Sequence, residues 1–256
     1  MKKVIMFVLT AMVLSSCSDF IDLKPIDFPT EETFYKDVKG LEGAVIGIYD
    51  ELQSSDQYGA KFMTLMEVRG DNVKNDNSGA SGGITYQIEV FTETPANSNL
   101  SGAWLSLYKT IYRCNLVLQN VEEVPMSDEQ RSRIAGQASF IRALCYFNLV
   151  RLWGEVPIIT KTQTVTEARN NKRAPIDEVY GQIISDLAVA KGLPAVWPES
   201  ERGRATSYAA HALLAKVYLY RKNYQEVVNE LAPVVAAIHA GKDLSLIHIS
   251  EPTRPY

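Results

Sequence analysis

Cys17 closes the tetrapeptide Leu14-Ser15-Ser16-Cys17, and a cysteine behind small residues is the acceptor in lipoprotein thioether acylation when an export signal precedes it. Such a signal is present. Lys2 and Lys3 supply a positive start, and Val4 to Leu14 form an apolar run too short to span a bilayer. The spacing predicts residues 1–16 as a signal peptide and a mature chain that starts at a lipidated Cys17. Its acyl chains would bury methylenes at about 0.8 kcal/mol each, so the attachment would be durable. The acidic residues closest to the anchor are Asp19 and Asp22.

Other residue types offer little reaction chemistry. No His-Glu-x-x-His, Gly-x-Ser-x-Gly or Gly-x-x-x-x-Gly-Lys pattern occurs, and Cys17, Cys114 and Cys145 lack zinc-ligand spacing. His211 stands among Ala and Leu, where it reads as a packed or partly exposed side chain. His239 ends an apolar periodic stretch, where a positive charge suits a helix terminus. The acidic pairs Glu31-Glu32, Glu122-Glu123 and Asp128-Glu129 fall at predicted helix ends and read as capping charges. No catalytic residue, metal site or cofactor is therefore expected. Cys114 and Cys145 sit in apolar helical patterns and read as buried thiols, with a disulfide between them left open by export to an oxidising compartment.

One segment has the composition of a binding loop. From Gly70 to Gly102 the chain is rich in Asn, Ser, Gly, Asp and Thr, with Tyr86 and Phe91 as isolated aromatics. A connection this long inside a domain is more often functional than idle. Tyr86 and Phe91 could stack on sugar rings while Asp71 and Asn72 bond to hydroxyls. Two roles remain open to each ring, ligand contact or local anchoring of the loop. Arg69-Gly70-Asp71 reads as the turn that opens it.

The elements that must position these residues are helical. Val38, Leu41, Val45, Ile48, Tyr49 and Leu52 recur at spacings of three and four, as do Trp104, Tyr108, Ile111, Asn115 and Leu118. Ser127 and Gln130 form a capping-box pattern ahead of a face running through Ile134, Ala138, Ile141, Cys145, Leu149 and Leu152, which Gly154 and Pro157 end. Pro175 precedes a helix with Ile176, Val179, Tyr180, Ile183, Ile184 and Leu187 inward, stopped by Gly192-Leu193-Pro194. Two more helices flank Lys222-Asn223. There, Leu214, Ala215, Tyr218, Tyr224, Val227, Leu231 and Val234 fall at offsets like those of a tetratricopeptide repeat, a class that stacks helical hairpins. At a net charge of −4 over 256 residues, no basic surface points to nucleic acid. Residues 244–256, starting Leu244-Ser245-Leu246-Ile247-His248, read as a sequencing-adaptor scar outside the native fold.

A resemblance follows from specific stretches: Trp104-Leu105-Ser106-Leu107-Tyr108, Ala138 to Val150, Gly154-Glu155-Val156-Pro157, Arg173-Ala174-Pro175, Ile183 to Leu187, Gly203-Arg204-Ala205-Thr206 and Leu213 to Leu219. In that order they resemble the N-terminal half of the SusD/RagB nutrient-binding outer-membrane lipoproteins of Bacteroidota, over residues 17–243. The resemblance implies a mainly α fold with tetratricopeptide-like hairpins and a long irregular loop. It also implies a non-catalytic protein on the cell surface, lipid-anchored in the outer membrane. Such a protein captures an oligosaccharide and passes it to a SusC-like TonB-dependent transporter. An oligopeptide ligand, as in the RagB branch, stays open beside the glycan, and a surface-anchored glycoside hydrolase is the remote third reading. Two departures from the family pattern stand out: Val227 where a small Ala is usual, and Pro233 inside a helix it should kink.

Overall fold

The computed structural model describes residues 34–70, 72–75 and 83–240. Cys17, Asp71, the Glu31-Glu32 pair and residues 244–256 lie outside the described residues. The order of helices is α1 (Val38–Leu52), α2 (Lys61–Glu67), α3 (Ile84–Glu89), α4 (Ser98–Asn120), α5 (Asp128–Trp153), α6 (Val165–Arg169), α7 (Ile176–Ala190), α8 (Ser207–Tyr220) and α9 (Tyr224–His239). The β pairing among the described residues is an isolated antiparallel bridge between Val156 and Ala174.

Local chemistry sets the helix boundaries. The Asp37 carboxylate accepts from the Gly40 N–H at 2.7 Å to start α1. At Ser127 the expected capping box forms in full, and Thr164 with Glu167 builds a second one before α6. Gly154 ends α5 at φ 68°, a left-handed setting that a side chain resists, and the chain turns sharply there. Lys222 takes φ 59° in the turn between α8 and α9.

Helix α5 is the centre of the packing. It lies against α4 on one side and α7 on the other, and it also touches α1 and α8. Its burial is correspondingly broader than the single expected face, because Gln137, Ser139, Arg142, Tyr146, Phe147 and Asn148 are buried too. Tyr146, Phe147, Ile141, Leu149, Ile183 and Leu187 are among the largest fully buried side chains. Each contributes about 1.5–3 kcal/mol relative to exposure. At Gly136 a Cβ would meet the Leu193 side chain at 2.8 Å, so the small residue lets the α7 exit loop press against α5.

Three expectations need correction. The stretch from Gly70 to Gly102 is not structureless throughout: it contains α3 and the first turn of α4, because Ile88 finds an apolar site against Leu65 and Ala103. Helix α9 runs through Pro233 from Tyr224 to His239 without interruption. Trp104 is half-buried rather than central, held edge-to-face against Trp153 at 5.2 Å between ring centroids. Cys114 and Cys145 are both buried and free, and burial pushes both thiols up from their ordinary pKa. A buried free thiol behaves as a small apolar side chain.

Candidate ligand-binding site

Helix α3 is the platform for the loop aromatics. It buries Ile88 completely, which turns Tyr86 outward at 41% exposed. One residue past the helix cap, Phe91 adopts φ 56° and stands 68% exposed. A bulky residue in left-handed backbone costs free energy, so the surroundings must hold it there. They do so through main-chain bonds: the Phe91 N–H reaches the Ile88 carbonyl at 3.4 Å, and the Thr92 N–H the Gln87 carbonyl at 2.9 Å.

Polar groups stand beside the Phe91 ring and at the ends of α3. The Arg69 guanidinium lies 5.9 Å from the Phe91 ring centre and forms an ion pair with Glu93. Arg69 Nε and Glu93 Oε2 have no further hydrogen-bond partner among the described residues. Asn97 caps α4 by accepting from the Asn99 N–H, and its amide donates to the Ile84 carbonyl at 2.9 Å and to Gln87 Oε1 at 3.2 Å. That side chain ties the start of α4 to α3. The Asn75 N–H donates to Glu89 at 3.2 Å. Asn72 is exposed, while Asp71 is outside the described residues. The structure thus puts Tyr86 and Phe91 on one helix–turn unit and sets Arg69 beside the Phe91 ring. Exposed rings beside charged and amide groups can stack on C–H faces and bond to hydroxyls.

A buried network that the spacing of apolar residues did not reveal supports the same helices. Arg142 on α5 makes a two-pronged pair with Asp186 on α7, at 2.9 Å from Nε and 2.6 Å from Nη2, and donates from Nη1 to Asn115 on α4 at 2.8 Å. Burial alone would lower the pKa of Arg142, but the hydrogen bonds and charge of Asp186 outweigh it and hold the pKa up. Next to this, Tyr146 Oη donates to the Ile159 carbonyl at 2.9 Å and accepts from the Ile159 N–H at 2.7 Å. Tyr108 donates to the Pro157 carbonyl, and the Asn115 amide donates to the Ile159 carbonyl. The segment after Gly154 is thereby strapped across α4 and α5. Burial raises the pKa of Tyr108 and Tyr146. The sequence signal was available in Ile141-Arg142-Ala143 and Ser185-Asp186-Leu187, each a charge set in an apolar run.

Among the histidines, His211 Nδ1 lies 2.6 Å from Glu230, which also takes Lys191 at 3.0 Å, so it links α8 to α9 and α7. Among the described residues, no group of three or more His, Cys, Asp or Glu could hold a metal ion, and no helix is long and apolar enough to cross a membrane.

Comparison with known proteins places this architecture. The family described as SusD-like, starch-binding and associating with the outer membrane, matches residues 19–219. A SusD-like protein of Formosa agariphila is 29% identical over 92% of this chain and 46% of its own length. The chain thus spans about half the length of the curated relatives it matches. Among solved structures, a SusD-like protein of Bacteroides fragilis covers 83% of this chain and 40% of its own at 26% identity, with a TM-score of 0.72. A laminarin-binding SusD-like protein covers 77% of this chain and 43% of its own at 30% identity, with a TM-score of 0.70. The strap residues after Gly154 and the α4–α5–α7 core lie within the matched span, and the chain belongs to the SusD-like family.

Proposed function

We propose that this protein is a surface-exposed, lipid-anchored outer-membrane lipoprotein that captures oligosaccharides and delivers them, uncleaved, to a SusC-like TonB-dependent transporter. The observation that carries the glycan reading is the likeness to the laminarin-binding relative, at 30% identity. The chemistry agrees with it. Tyr86 and Phe91 offer exposed rings for stacking, with Arg69, Asp71 and Asn72 as hydrogen-bonding groups. Lipidation at Cys17 supplies the anchor, and residues 17–243 form the family region. A tethered capture protein raises ligand concentration at a pore mouth without any reaction.

Calorimetric titration with laminarin and xyloglucan oligosaccharides tests the reading. Saturable binding of at least one, with no release of reducing ends, is the expected result. An oligopeptide bound in place of every glycan would assign the protein to import of peptides instead. Release of reducing ends would make it a hydrolase. Delivery is tested separately by co-purification of a TonB-dependent barrel with the lipidated protein.

A further inference from the structure

Helix α9 carries more apolar surface than its packing against α8 covers. Its fully buried residues are Glu230 and Ala237. Next around the helix come Val227 and Val234, which are half-buried, and past them a further stripe faces out: Tyr224, Val228, Leu231, Val235 and Ile238. Leu231 is half-buried, whereas Tyr224 is 62%, Val228 65%, Val235 44% and Ile238 48% exposed. A surface helix normally keeps its outer face polar, and the end of a stacked helical array needs such a face for solubility. Helix α9 lacks one.

The spacing of that stripe says what fits it. Its members follow one another at intervals of four, three, four and three residues, the alternation of a coiled-coil seam, whose partner is a second helix with the same spacing. Val228 and Val235 fill the β-branched places with Leu231 between them, a choice that favours two strands over three or four. Charged residues beside a seam are what select an unlike partner. Here those places hold Gln225, Ala232 and His239 on one side and Val227 and Val234 on the other. The carboxylates of α9 lie away from the seam: Glu230 takes Lys191 and His211, and Glu226 accepts from Asn229. A like seam therefore meets no repulsion between carboxylates.

We infer that α9 pairs with α9 of a second copy of this chain across a two-fold axis, seam against seam, so that each apolar stripe covers the other. The inference does not rest on the glycan reading of Tyr86 and Phe91, which belong to α3 and the turn after it.

Sedimentation velocity on the full chain carrying Cys17→Ala, diluted through the micromolar range, reads the association directly. A reversible equilibrium between monomer and dimer is expected, with no higher species. Val228→Glu or Val235→Glu places carboxylates of both copies in the shared seam and should weaken the dimer at least about tenfold. Leu105→Glu, at a 67% exposed site on α4, should leave it unchanged. All three positions are exposed in the single chain, so circular dichroism and melting temperatures equal to the parent's, at dilutions where the parent is monomeric, establish that the variants fold. The chain lacking residues 244–256 should dimerise like the parent. A monomer at every concentration overturns the inference and leaves the seam to a different polypeptide. A dimer indifferent to both α9 substitutions overturns it as well, and so does one lost with residues 244–256, which would make that tail the occupant.

Discussion

Arg142 and Asp186 place a full charge pair inside a helical core, where each ion depends on the other for its solvation. Arg142→Met is expected to lower stability by about 3–5 kcal/mol, because it leaves the Asp186 carboxylate buried without its cation. The double substitution with Asp186→Leu should recover most of that loss, and urea denaturation of both variants checks the difference. Phe91 presents the opposite case, an exposed ring on left-handed backbone. That setting costs an L-residue roughly 1–2 kcal/mol, and glycine avoids the cost. Phe91→Gly is therefore expected to keep or raise the melting temperature while weakening oligosaccharide binding by about tenfold, if the ring is a stacking contact. A lower melting temperature would show that Phe91 anchors the loop.

At the scale of elements, the strap after Gly154 is held by side-chain hydroxyls and amides instead of by a sheet. Tyr146→Phe removes one oxygen that serves both the N–H and the carbonyl of Ile159. It is expected to cost about 1–3 kcal/mol and to speed amide exchange in the strap, measured by denaturation and hydrogen exchange. The same burial predicts alkaline sensitivity. It raises the Tyr49 pKa to about 12, and those of Tyr58, Tyr108, Tyr146, Cys114 and Cys145 also stand above their ordinary values. These groups are neutral in the folded protein at a pH where the unfolded chain has already released its protons. Unfolding is then favoured as pH rises, so their contribution is complete below the thiol range near ~8.5 and declines steadily above ~10. A melting temperature flat from neutral pH to the thiol range and falling thereafter is the expected profile. A rise across that alkaline range would contradict it.

For the whole molecule, attachment and native extent are the open proposals. Cys17→Ala is expected to move the protein from the membrane fraction to the soluble fraction, and to remove it from the reach of protease added to intact cells. Unchanged fractionation of the variant would sink the lipid anchor. Deleting residues 244–256 is expected to leave the melting temperature unchanged, as suits a scar with no part in helix packing. A fall of several degrees, about 1 kcal/mol or more for a chain of this size, would mean that the tail belongs to the fold.

Sequence by itself determined what local physics encodes. Helix existence followed from the apolar spacing of Val38 to Leu52 and of Ile176 to Leu187, and helix ends followed from Ser127 with Gln130 and from Gly154, because caps and turns act over a few residues. The ordered motifs from Trp104 to Leu219 likewise identified the family before any contact was known. Tertiary structure decided what depends on partners distant in the chain. A six-residue helix at Ile84–Glu89 is too short to be stable alone and forms because Ile88 docks beside Leu65 and Ala103. The periodic pattern put Trp104 on an inward face, yet the space beside it is only half closed. Asn115 and Asp186 lie 27 and 44 residues from Arg142 along the chain, and only the crossing of α4, α5 and α7 turns three separate polar residues into one buried network.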